Sequence, residues 1–338
     1  MAHNIGAMFY FGEMPWHGLG KRLPAAANLS EALTAGELRW TVDLVPLATD
    51  EPQPSPVAQR MAVVRTDRAP GMPGRVLGVV HPGFRPLQNE DGVRLFDNLL
   101  GRGDAIYHTG GYLGSGEVVW LLARVPGAIK VIDRDVLEPY LLFTNSHDGS
   151  IGIDIRLTTV RVVCQNTLSL ALHTGPRRQV FRRAHRGSPE LLQLEAKAFF
   201  AFSQERLRET EELFRRLAKS PCSDEAFARF LLQLLPEPRR PATADANPAV
   251  GKAWETRAKT IAASRASIQR VRAEGIEERA IPPAEPNWWE ALNSVTAWVD
   301  HRQETEGDRY AHVLLGSGDK LKASALDLAV QATSSNDR

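Results

Sequence analysis

Two hydrophobic periods divide this chain. As far as about residue 175, apolar side chains recur at every second position in short runs, the period of half-buried strands. "RWTVDLVPL" places Trp40, Val42 and Leu44 on one face. "RMAVVRTD" and "GRVLGVVHP" follow as two further strands, joined by the turn-rich "RAPGMPG" and so expected to form a hairpin. "AIYHTGGYLGSGEVVWLLARVPG" reads as two strands about a glycine-rich turn; "AIKVIDRDV" and "EPYLLFTNSHDGS" add two more. "GIDIRLTTVRVVC" alternates Ile153, Ile155 and Leu157 with Asp154, Arg156 and Thr158. Short helices interrupt these strands. "LSEALTAGEL" has Ser30 as an N-cap candidate, "NEDGVRLFDNLLG" has an acidic first turn and a stop at Gly101, and "QNTLSLALHT" is expected to be a short helix.

From about Pro189 the period lengthens to 3.6. In "SPELLQLEAKAFFAFSQERLRETEELFRRLAK", Leu192, Phe199, Phe202, Leu207, Phe214 and Leu217 mark a long amphipathic helix. "SDEAFARFLLQLL" follows behind a Ser223 cap, and the Pro/Ala-rich "PEPRRPATADANP" is a connector. A third helix carries Trp254, Ile261, Ile268 and Val271 as an apolar stripe beside arginines and lysines. "EPNWWEALNSVTAWVDHRQ" and "GSGDKLKASALDLAVQ" supply the last helices, with Trp288, Trp289 and Trp298 mostly in the core. Strands first and helices after imply an α+β fold. A curved antiparallel sheet is expected over 1–187 and a helical region, packed on it or appended to it, over 188–338. The lack of strand–helix alternation argues against a doubly wound nucleotide-binding sheet.

Composition narrows the class. Of 338 residues, 43% are hydrophobic and 24% charged, ordinary values for a globular protein. Two cysteines, Cys164 and Cys222, lie in no CxxC pattern, and the N-terminus has no basic and apolar leader. No apolar run is long enough to span a bilayer. A cytoplasmic protein without membrane contact is the expectation.

Net charge is +1, so an anion site must come from local clustering. Such a cluster exists between Ile151 and Gly187. Arg156, Arg161, Arg177, Arg178, Arg182, Arg183 and Arg186 face a single acid, Asp154; seven less one gives a local charge of +6. Phe181 lies inside "RRQVFRRAHR". Guanidinium forks pair with phosphate oxygens and an aromatic ring stacks on an unpaired base, so these residues are the nucleic-acid candidates. Pairing of the same arginines with glutamates of the next helix is the competing reading. "GSGDKLK" opens a helix, so Lys320 and Lys322 join the candidates, with a plain N-cap at Ser317 or Asp319 as the alternative.

Other constellations are weaker. Asn145, His147 and Asp148 in "TNSHDGS" combine acid–base or metal-ligand types, yet Asp-Gly after a strand is foremost a turn signal. "GGYLGSG" lies between strands and lacks a Gly-Lys-Ser/Thr ending, so it is a hairpin turn rather than a phosphate loop. No GxSxG or HExxH occurs, and Cys164 suits a buried thiol. In "MPWHGLG", His17 has no acid or thiol beside it. Trp16 reads as an anchor, and Gly18 and Gly20 permit a tight turn.

"PWHGLG", "FTNSHDGS", "RVVCQNTL" and "ALNSVTAWVDH…GSGDKLKASALDLA" together resemble the phage/plasmid-like proteins of domain-of-unknown-function family 932. The resemblance runs through nearly the whole chain in order. It implies a mobile-element setting and supplies no catalytic residues and no cofactor. The strands-then-helix order is also similar to that of phage single-strand annealing proteins, an analogy of fold only. The expectation is a single-stranded DNA-binding protein, a homo-oligomer acting in annealing or recombination, and not an enzyme. A metal-dependent nuclease or hydrolase using His17, His147 and Asp148 is the alternative. An interaction module, such as an inhibitor of host defence, is the third reading.

Overall fold

The computed structural model describes residues 5–12, 19–67, 74–100, 106–125, 127–132, 135–161, 167–169, 180–187, 189–277, 285–302, 312–313 and 316–335. The chain forms two compact units. The first comprises Met1–Ala128, Glu138–Thr159 and Gly175–Leu207; the second comprises Ile129–Leu137, Val160–Thr174 and Arg208–Arg338. The fold is mixed α+β, with a largely antiparallel, strand-rich N-terminal half and helices gathered in the C-terminal half.

In the first unit, strands β1 (Ile5–Phe11), β2 (Lys21–Leu23), β6 (Ile106–Leu113), β7 (Val118–Arg124), β9 (Asp135–Ser146), β10 (Ile153–Arg161) and β12 (Val180–Arg183) build the main sheet. They lie in the order β10, β9, β7, β6, β1, β2, with β12 on β10. Pairs β1–β6, β6–β7 and β7–β9 are antiparallel and β1–β2 is parallel. Helix α1 (Leu29–Ala35) precedes a second sheet of β3 (Val42–Ala48), β4 (Pro56–Arg65) and β5 (Arg75–Val80), and α2 (Asn89–Leu100) follows it. The expected β4–β5 pairing forms, and of "GGYLGSG" the first four residues end β6 while Gly114, Ser115 and Gly116 make the turn to β7. Phe96 of α2 packs on Phe143 and Tyr107 of the sheet, with ring centroids 5.8 and 6.1 Å apart. Two expectations need correction. Asn28, not Ser30, caps α1, because its side chain and Glu31 close a reciprocal capping box. Within "QNTLSLALHT", Thr167–Ser169 is a strand, β11. A short apolar run does not distinguish helix from strand by period alone.

In the second unit, β8 (Ile129–Ile132) pairs with the start of β9. The helices are α3 (Pro189–Lys219, which begins in the first unit), α4 (Asp224–Leu234), α5 (Pro248–Glu277), α6 (Trp288–Ala297) and α7 (Ser317–Ser335). Ser223 caps α4 as its sequence implies. The core is aromatic. Phe214 meets Trp289 at 4.8 Å and Phe230 meets Trp288 at 5.6 Å. Burying one such phenylalanine contributes about 2–3 kcal/mol. The buried Trp289 indole N–H is not wasted: it donates to Asp135 at 2.8 Å. After α6 the helix widens into a π-helical turn, Trp298–Arg302. There Asp300 is buried and receives a 2.7 Å hydrogen bond from the buried Lys322 ammonium. Among the described residues no helix is long and apolar enough to cross a membrane.

Candidate nucleic-acid interface

Register decides what the arginine segment presents. Antiparallel pairing sets Ile153 opposite Arg183, Asp154 opposite Arg182, Ile155 opposite Phe181 and Arg156 opposite Val180. Strand alternation then sends Asp154, Arg156 and Arg182 to one face and Phe181 and Arg183 to the other. Gly152 permits this pairing, since a Cβ there would collide with the Arg183 carbonyl.

On the first face one carboxylate serves two guanidiniums. Arg156 binds both oxygens of Asp154 at 2.7 and 2.9 Å, and Arg182 reaches Oδ2 at 2.7 and 2.9 Å. Asp154 is 1% exposed and Arg156 is buried, whereas the Arg182 side chain is 57% exposed. On the other face Phe181 is buried and packs on Phe199 of α3 at 6.0 Å. Arg183 forms a forked pair with Glu195 at 2.6 Å. That pairing raises the arginine's pKa and holds the Glu195 carboxyl below its ordinary value. Pairing with acids of the following helix, the competing reading of the sequence, therefore holds for Arg183.

These placements revise the expected site. Phe181 is in the core and offers no ring face to a base. Arg156 is a buried partner of Asp154 rather than a groove-lining cation. Lys322 is equally enclosed, bonded to Asp300 in the second unit, while Lys320 is exposed there. Arg182, Arg183 and Arg186 are exposed. Arg177 and Arg178 lie outside the described residues, as does the side chain of Arg161; so do Trp16, His17, Gly18 and Cys164. Gly20 does adopt the left-handed conformation its position suggests, with φ +104°.

The structure adds two residues that sequence reasoning overlooked. The Arg85 amide donates to the His185 carbonyl at 2.8 Å and so docks the "GFRP" loop beside residues 184–186. Phe84 lies on the His185 ring, centroids 4.4 Å apart and planes tilted by 31°. Phe84 is half-buried, and Arg85 and Arg186 are exposed. Among the described residues neither Arg85 nor Arg186 has a carboxylate partner. The available signal was the Phe-Arg adjacency in a Gly/Pro loop, the same pairing of types as "VFRR". Counting Arg85, Arg156, Arg182, Arg183 and Arg186 against Asp148, Asp154 and Glu195 gives five less three, a surplus of +2.

Beneath this rim lies a buried histidine pair. His147 follows β9, and its Nε2 is 2.9 Å from Asn89 Oδ1; the Asn89 amide in turn donates to the Leu38 and Trp40 carbonyls. Its ring sits 5.3 Å from that of Trp40, over which the Arg65 guanidinium lies at 4.3 Å. Arg65 is held by Asp67 and the Ser115 carbonyl. Burial pushes His147 down to about 3, and the charges of His185 and Arg65 add to the shift. Burial also lowers His185, outweighing the Arg85 and Ile151 backbone groups and the Asp148 carboxylate. Both rings are therefore neutral near pH 7. Asp148 accepts from the Ser150 amide within the turn. The turn reading of "HDGS" thus stands, with a buried histidine that the sequence did not reveal. Among the described residues no three His, Cys, Asp or Glu side chains are grouped to hold a metal.

Comparison with known proteins adds one match. The model of the family described as domain of unknown function (DUF932) covers residues 76–324. This span includes Phe84, Arg85, the β10–β12 pairing, the histidine pair and α5. No curated protein and no solved structure matches the chain.

Proposed function

The chain belongs to the domain-of-unknown-function 932 family, and from that premise we propose that it binds single-stranded nucleic acid. The observation that carries this reading is the first-unit rim. Among the described residues Arg85 and Arg186 have no carboxylate partner, Arg182 shares its carboxylate with Arg156, and Phe84 is the half-exposed aromatic among them. Guanidiniums engage phosphates and a ring face receives a base without sequence preference. Single-stranded DNA of a mobile element is the proposed ligand, and annealing or recombination the proposed setting.

The test is a fluorescence titration of a labelled single strand and of the matching duplex over a range of salt. Binding is expected to favour the single strand and to weaken with salt by about 0.7 log units per phosphate contact per log unit of salt. Absence of salt-sensitive binding in the micromolar range overturns the reading.

Self-assembly into a homo-oligomer is the second part of the proposal, and one observation supports it. Val45 and Val79 flank the buried Ala62 in a cross-strand row on β3–β4–β5 and are themselves 42% and 52% exposed. Light scattering on the wild type and on Val79→Lys tests it: a smaller assembly is expected for the variant, and a monomeric wild type refutes self-assembly.

A further inference from the structure

Helix α5 offers a second cationic surface, in the second unit. Its inward side is set by Trp254, Ile261 and Ile268, seven residues apart, with Val271 and Arg272 buried near its end. Trp254 is fixed by donating to the Pro238 carbonyl at 2.9 Å, and Arg272 by donating to the Cys222 carbonyl at 2.6 Å. The opposite side is therefore defined. Lys252, Lys259 and Arg270 lie on it, separated by seven and eleven residues, close to two and three helical turns. All three are exposed, and among the described residues none forms an ion pair. Thr256, Ala263 and Ala266, also exposed, fill the positions between them, so the helix surface between the cations is low. Eighteen residues at about 1.5 Å each make the row about 27 Å long. Glu255, at its border, is not paired to it, and Glu274 is committed to Arg302 at 2.6 Å.

We propose that this row is a docking track for the phosphate backbone of the nucleic acid, an inference that rests on the reading above. The absence of an apolar anchor favours a phosphate backbone over a protein. Protein interfaces concentrate their energy in aromatic and aliphatic side chains set in a desolvated centre. The large exposed hydrophobic side chains found among the described residues lie elsewhere: Val45, Val57, Val76 and Val79 on the small sheet, Leu19, and Leu191, Leu194 and Leu232 on α3 and α4. A row of cations with small side chains between them needs only a charged chain that comes close, which a phosphodiester backbone supplies.

The experiment compares salt-dependent binding of a labelled single strand by the wild type, by Lys252→Glu/Lys259→Glu/Arg270→Glu, by the corresponding triple Gln variant, and by Arg85→Glu/Arg186→Glu. Circular dichroism and thermal melting accompany each. The three side chains are exposed, so the triple variants are expected to melt as the wild type does. Both are expected to bind roughly tenfold or more weakly at low salt, with a salt slope shallower by about 2, three contacts at about 0.7 each. Wild-type affinity and slope in the triple Gln variant, with binding lost in the Arg85/Arg186 variant, overturns the track and leaves the function standing. No binding by the wild type overturns both.

Discussion

The two basic regions of this protein use the same residue types to opposite ends. In the β10–β12 segment most of the described arginines are consumed internally: Arg156 and Arg182 on Asp154, Arg183 on Glu195. On α5 the outward cations Lys252, Lys259 and Arg270 have no such partners among the described residues. Local sequence charge ranks the first region far above the second. Among the described residues, exposed charge without a carboxylate partner reverses the order, because a carboxylate bonded to a guanidinium offsets its charge. A density of arginines in sequence measures what a segment contains, whereas its surface potential depends on which carboxylates the fold brings to it.

The largest effect that can test this contrast comes from a cation that is wholly structural. Lys322→Met leaves the Asp300 carboxylate buried, and stability is expected to fall by about 3–5 kcal/mol in urea unfolding. A loss under about 1 kcal/mol means that the Lys322–Asp300 pair is not what holds this part of the fold. Next comes pH. The folded pKa of His147 and of His185 lies below the unfolded value of about 6.5, so their neutral burial stabilises the fold above that pH and the contribution is lost as pH falls from it. The melting temperature is expected to drop between pH 7 and 5, before the bulk of the carboxylates titrate, and a flat profile there contradicts the buried pair. Third, Arg85→Glu/Arg186→Glu is expected to weaken single-strand binding about tenfold while changing stability by less than about 0.5 kcal/mol per site. Equal loss of binding and stability assigns these residues to the fold. Smallest is Arg183→Ala: the pair with Glu195 is solvent-screened, and urea denaturation should barely register its loss.

What the sequence disclosed and what it hid have a common physical basis. Local periodicity carries information about one element at a time. Hence helices α3, α4 and α5, the Ser223 cap and the turn between β6 and β7 were legible, while the side chains of Phe202 and Leu207 in the α3 stripe lie outside the described residues. The site required pairings over long separations. Asp154 meets Arg182 only because β12 returns to β10, and that return also turns Phe181 inward against Phe199. Arg85 comes beside Arg186 because its amide donates to the carbonyl of His185, a hundred positions away. His147 lies in a turn with a polar signature, yet the Asn89 side chain from α2 encloses it. None of these contacts leaves a trace in hydrophobic spacing, so the composition of the rim was visible and its membership was not.

The shared carboxylate of Asp154 holds its two arginines unequally. An arginine that alone neutralises a buried acid is captive, since its departure strands a charge in the protein interior. Here Arg156 grips both oxygens by itself, and Arg182 is the outer, solvent-facing claimant. Loss of the Arg182 contact would still leave the acid compensated by Arg156, so of the two guanidiniums only the inner one is indispensable to the buried charge.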